Sequence, residues 1–167
     1  MNEAEHMVEL IPRLRRYARA LCSDRVAADD LVQDTLERAW AKLHLYRRGT
    51  DLRAWLFTVM HNVHVNKVRA ARPTETFEDD MPELAQRATQ GDALLVRDLD
   101  RSIALLPADQ RSVLLLVALE DMSYEEVASS LGVPIGTVMS RLSRAREKLR
   151  AMMLGLGPIA KLKLIKP

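Results

Sequence analysis

The sequence predicts an all-α chain of two small helical domains joined by a flexible acidic linker, the C-terminal one a helix-turn-helix domain. Three observations carry this reading. The 167 residues are rich in Ala, Leu and Arg and hold only two Phe, two Trp, six Gly and seven Pro, so residues that lose little rotamer freedom in helices dominate. Apolar residues recur at steps of three and four through most of the chain, the period of a helix with one buried face. Between the two periodic halves, a polar, acidic stretch bracketed by Pro73 and Pro82 breaks the pattern, as a linker does. The expected organisation is therefore 1–72, a linker 73–92, 93–154 and a tail 155–167.

The elements follow in order. Leu10, Leu14, Tyr17, Ala18 and Leu21 give the first helix one apolar stripe. A second helix from about Ala27 to Leu45 has Val32, Leu36, Ala39, Trp40 and Leu43 inward. Asp30, Gln33, Asp34, Glu37 and Arg38 line its other side. Asp51, after Gly49-Thr50, is placed to cap a third helix whose buried side is Leu52, Trp55, Leu56, Val59, Met60, Val63 and Val68. Beyond the linker, Leu94, Leu95, Leu99, Ile103 and Leu106 mark a helix that stops at Pro107. Val113 to Leu119 are the core of the next. Ser123-Tyr124-Glu125-Glu126 has the form of a capping box, in which Ser accepts from the amide three residues on and Glu reaches back. Gly132 follows as a left-handed stop. Pro134 opens the last long helix, buried through Val138, Leu142, Ala145 and Leu149.

Several function classes find no support. One cysteine, Cys22, allows no internal disulfide or cysteine zinc cage, and it lies beside the Leu21 stripe as a packed thiol. His61 and His64 stand three apart without a Cys or carboxylate one turn away, so no metal site and no cofactor are expected. No phosphate-binding glycine loop, nucleophile elbow or paired carboxylates appear, so neither catalytic residues nor a small-molecule substrate are expected. The longest apolar run, Val113–Leu119, is far short of the roughly 20 residues that span a bilayer, and the N-terminus lacks a secretory pattern. The chain reads as cytoplasmic.

Net charge is +2, which by itself favours no nucleic-acid partner, but the charges are segregated. Residues 47–72 carry six basic groups against one acidic, and 136–167 carry eight against one, while 73–100 carry two against eight. The first basic block interleaves Arg53, Lys67 and Arg69 with Phe57, His61, Asn62 and Asn66, a composition suited to single-stranded nucleic acid, where bases stack and phosphates are neutralised. Trp55 lies on the apolar stripe and is read as core, whereas Phe57 and Asn62 fall off it and are the better contacts. In the second block, Thr137, Ser140, Arg141, Arg144 and Lys148 lie away from the apolar stripe of a helix opening at Pro134 and Gly136. In a helix-turn-helix the start of the second helix meets base edges and later residues meet phosphates. The acidic stripe of the second helix suits either plain solvation or docking of a basic partner.

These residues together resemble the extracytoplasmic-function (ECF) sigma factors of bacterial RNA polymerase. Asp30–Trp40 resembles the family's core-polymerase-binding helix, Arg53–Val63 its promoter-melting helix, and Leu106–Arg146 its C-terminal helix-turn-helix. The resemblance implies core RNA polymerase and promoter DNA as partners, with an anti-sigma factor, often a membrane protein, holding the factor inactive. Asp30, Gln33, Asp34, Glu37 and Arg38 would face the polymerase. Arg53, Phe57, His61, Asn62, Asn66, Lys67 and Arg69 would take the minus-10 element. Pro134, Gly136, Thr137, Ser140, Arg141, Arg144 and Lys148 would read the minus-35 element. It also implies that the acidic linker lies in the RNA-exit path. Asn66 stands where the family commonly has Asp, and Met139 where it often has Lys.

Overall fold

The computed structural model describes residues 2–22, 24–71 and 92–155, the side chains of 92–95 excepted. The acidic linker, apart from Asp92, and the tail, apart from Gly155, lie outside the described residues. Those residues are all helical apart from turns and short connections: α1 (Glu3–Leu21), α2 (Arg25–Ala41), α3 (Leu52–Ala71), α4 (Asp92–Ala104), α5 (Ala108–Ala118), α6 (Tyr124–Leu131) and α7 (Ile135–Met153).

Local chemistry sets the boundaries. Asn2 and Glu5 form a reciprocal capping box at the start of α1, and the Asp24 side chain accepts from the Val26 amide to start α2. Asp51 caps α3 by accepting from the Ala54 amide at 3.3 Å. The second helix ends earlier than its periodicity suggests: α2 stops at Ala41, and a short 3-10 turn at Leu43–Leu45 turns the chain toward α3. Ser123 and Glu126 make the expected box before α6, with bonds of 3.1 and 2.8 Å. Gly132 closes it at φ 67°, ψ 37°, a conformation that would strain a side chain.

Helices α1–α3 pack together, as do α5–α7 with α4 against α7, and the two groups also touch where α1 meets α4 and α5 and where α3 meets α6. Tyr17, Leu14, Leu31, Leu56 and Met60 centre the first group; Leu106, Val113, Leu116, Val127 and Leu142 centre the second.

Two apolar assignments are corrected by this packing. Trp40 is 63% exposed and Val68 40% exposed, although the apolar periodicity puts both on buried stripes. A step of 100° per residue carries Trp40 past the Val32–Ala39 side and onto the face shared by Gln33 and Glu37. Trp55 is half-buried, its ring centroid 5.4 Å from that of Tyr46.

Candidate nucleic-acid interface

The sequence-predicted residues sort onto three helices. On α2, Asp30, Gln33, Asp34, Glu37 and Arg38 fall within one sector of about 140°. All but the half-buried Asp34 are exposed. Opposite them Ala28, Leu31, Val32, Thr35 and Ala39 are buried. Gln33 Nε2 donates to Glu37 Oε1 at 3.3 Å, and Asp34 pairs with Lys67 Nζ of α3 at 2.5 Å. The face is acidic, with Trp40 at its C-terminal end and Val26 (66% exposed) at its start.

On α3 the expected minus-10 residues divide. Asn62, Asn66 and Arg69 share an exposed flank. His61 and His64 are half-buried on a different side, where burial, then the charge of neighbouring cations, lowers both imidazoles below their ordinary value; for His61 those neighbours are His64 and Arg141, for His64 Arg111 and Lys67. Lys67 is tied to Asp34. Arg53 is turned toward the C-terminal helices, where Nη1 donates to the Glu120 carbonyl at 2.6 Å and Nη2 lies 3.4 Å from Asp51 and 3.8 Å from Glu126.

Phe57 corrects the expectation of a stacking contact. It is 2% exposed, and its ring meets Tyr17 edge-on, with centroids 5.1 Å apart and planes at 72°. The reason lies in packing: α3 is flanked by α1 and α2 and also by α6, so burial wraps beyond its apolar stripe.

On α7 the sequence-predicted residues fall on one flank. Gly136, Thr137, Ser140, Arg144, Lys148 and Arg141 occupy one sector of about 140°, with Val138, Leu142 and Ala145 buried opposite. Pro134, Gly136, Ser140 and Arg144 are exposed; Thr137, Arg141 and Lys148 are half-buried. Arg141 Nε lies 3.5 Å from Asp109 Oδ2 of α5. A third flank of α7, with Met139, Arg146 and Arg150, opens with Tyr124 into a shallow cavity of about 280 Å³.

Two groups of residues went unmarked in the sequence. Arg111 donates to four backbone carbonyls: Ile103 at 3.1 Å, Leu21 at 2.9 Å, Ala104 at 2.6 Å and Leu106 at 2.8 Å. It thereby ties the end of α1 to the α4–α5 corner. Glu120, after α5, is fully buried, with carboxylate oxygens 3.1 Å from Arg13 Nε and 3.2 Å from Arg16 Nη2. Residue type gives no hint that this one glutamate among the acids is inside. Burial raises the Cys22 thiol, against the opposing pull of Arg111 and Lys67. Among the described residues no three His, Cys, Asp or Glu are grouped to hold a metal ion. No described helix is long and apolar enough to cross a membrane.

Residues 7–61 match the family model described as the sigma2 domain of PhyR, and residues 97–149 match sigma-70, region 4. The ECF RNA polymerase sigma factor EcfG of Rhodopseudomonas palustris is 34% identical over 151 residues, covering 89% of this chain and 83% of that protein. The chain belongs to the ECF sigma factor family. The sigma factor is also similar to the solved structure of the sigma factor RpoE in complex with the anti-sigma factor NepR from Bartonella quintana. That likeness has 33% identity and a TM-score of 0.72, over 92% of this chain and 97% of that one. CnrH, solved in complex with the cytosolic domain of CnrY, is 26% identical with a TM-score of 0.68, over 92% of this chain and 88% of that one.

Proposed function

We propose that this sigma factor docks on core RNA polymerase through the Asp30–Arg38 face of α2 and directs initiation at promoters that its two helical domains, 1–72 and 93–154, read separately. In this reading α7 enters the major groove of the minus-35 element with Gly136, Thr137, Ser140 and Arg141 toward bases and Arg144 and Lys148 toward phosphates. The exposed Asn62, Asn66 and Arg69 take the melted minus-10 strand, with Arg53, His61 and Lys67 bordering it.

The observation that carries the proposal is the recognition flank of α7, held on a capped helix-turn-helix with its polar residues on one side and its apolar residues on the other. It acts as an initiation factor rather than an enzyme. It works in the cytoplasm under an anti-sigma protein, in keeping with the complexes in which RpoE and CnrH were solved; a membrane-embedded anti-sigma protein would hold it at the inner membrane.

A second reading has one observation in its favour. The sigma2 match of residues 7–61 is to PhyR, described as an anti-anti-sigma factor, and a decoy of that kind captures an anti-sigma protein without touching DNA. Transcription in vitro with purified core polymerase on a genomic promoter library separates the two. Specific initiation that Glu37→Lys abolishes through lost core binding supports the proposal, and no initiation from any promoter supports the decoy.

A further inference from the structure

Three guanidinium groups of the N-terminal helices converge on one residue of the C-terminal half. Arg13 and Arg16 of α1 bracket the buried carboxylate of Glu120, and Arg16 also donates to the Leu119 carbonyl at 2.9 Å. Arg53 of α3 donates to the backbone carbonyl of Glu120 itself. The next residue, Asp121, has φ 52°, the only positive φ outside glycine among the described residues. The corner is thus held in a conformation that non-glycine residues seldom adopt. Beside it, Thr58 Oγ1 lies 3.0 Å from Ser130 Oγ, so α6 covers one side of α3.

Two guanidinium groups hold the Glu120 carboxylate and a third holds the backbone carbonyl of the same residue; together they form an anion site, and a guanidinium fork fits phosphate as well as carboxylate. The site is built by α1 and α3, and its present occupant belongs to the other half of the chain. Exchanging that occupant for an external anion therefore requires the halves to separate. Two of the arginines already have appreciable exposure: 38% for Arg13 and 54% for Arg16.

We propose that Arg13, Arg16 and Arg53 form a binding site for a nucleic-acid phosphate, which Glu120 fills while the chain is closed. The Glu120 carboxylate is a stand-in for that phosphate, and polyanion binding and opening of the chain are one exchange. Promoter DNA as the physiological source rests on the function proposed above; the anion site and its exchange do not.

The full-length chain tests this in two ways. Spin labels on Glu9→Cys and Ser129→Cys, with Cys22→Ser, report the separation of α1 from α6. A fluorescein-labelled oligothymidylate, read by anisotropy, reports phosphate binding without sequence preference. The wild-type chain is expected to give one short distance, which moves to a longer one as the oligonucleotide is added. Glu120→Gln keeps the size and removes the charge. It should show the longer distance without DNA and bind about tenfold tighter, one charge-assisted hydrogen bond being enough for that factor.

Arg13→Gln with Arg16→Gln should open the chain from the other side without the gain in affinity. Combined with Glu120→Gln it should cancel that gain, and the arginine pair keeps the test available if Glu120→Gln fails to fold. The inference is overturned if Glu120→Gln keeps the wild-type distance and affinity, or if the arginine changes leave its tighter binding intact. A chain that opens and binds as expected, yet starts no transcription with core polymerase, keeps the anion site and removes the promoter reading. A transcriptionally active chain unaffected at Glu120 does the reverse.

Discussion

Replacing Phe57 with alanine decides whether this ring is part of the core or part of a nucleic-acid surface. The side chain is 2% exposed and meets Tyr17, itself 2% exposed, edge-on at 5.1 Å. Truncating a buried phenylalanine typically costs about 3–5 kcal/mol, and the lost edge-to-face contact accounts for about 0.5–1.5 kcal/mol within such losses. With about 2 kcal/mol/M as the urea dependence, the midpoint should fall by roughly 1.5–2.5 M. Phe57→Leu, which keeps most of the volume, should lose about 1–1.5 kcal/mol. Equilibrium urea unfolding followed by circular dichroism gives both numbers. Binding of single-stranded DNA, measured on the fraction still folded, should be the same for Phe57→Leu as for the parent. An unchanged urea midpoint together with weakened DNA binding would refute the argument and return Phe57 to the surface.

Other consequences are equally direct. Arg111→Lys keeps the charge but replaces a planar fork with a point donor, so several of its four carbonyls lose their bond; a loss of about 2–4 kcal/mol is expected in the same unfolding assay. His61 and His64 have lowered values in the folded chain, so the unfolded chain takes up protons first. Their contribution is complete well above 6.5 and is lost as the pH falls from about 6.5 toward the lowered folded values, so Tm should drop between about pH 7.5 and 5.5. His61→Gln with His64→Gln should flatten that change. Arg141→Ala should weaken minus-35 binding by about 1–3 kcal/mol and relax the sequence preference at one position, measured by binding to a set of substituted duplexes. A uniform loss across all sequences would assign Arg141 to a phosphate instead.

Much of the fold was legible because it is specified locally. The Ser123–Glu126 box and the left-handed Gly132 are matters of neighbouring residues, and both stand where the sequence puts them. The polar flank of α7 was legible for a similar reason: over its first three turns that helix is buried on one side, through Val138, Leu142 and Ala145, so its polar residues there stay on the other, and Ala151 near its end is the buried exception. Helix α3 was harder because its burial extends past one stripe. Asn62, which the sequence placed on the surface, is exposed there, but Phe57 is enclosed and Arg53 is bound to another part of the chain. Trp40 failed for a different reason, since an indole at the edge of an apolar stripe is read inward although the helix turns it out. Glu120 was illegible altogether. Its burial depends on arginines more than a hundred positions earlier, and no local pattern records such a partner.

The four bonds of Arg111 all end on backbone carbonyls, and so does the bond from Arg53 to Glu120. Every amino acid supplies that acceptor. Leu21, Ile103, Ala104 and Leu106 can therefore drift in side chain, within what the core admits, without loosening the joint. Selection on these contacts falls on the donor alone. Co-variation between paired positions, which detects side chains that change together, is blind to a joint of this kind; Arg111 would show as an invariant residue with no correlated partner.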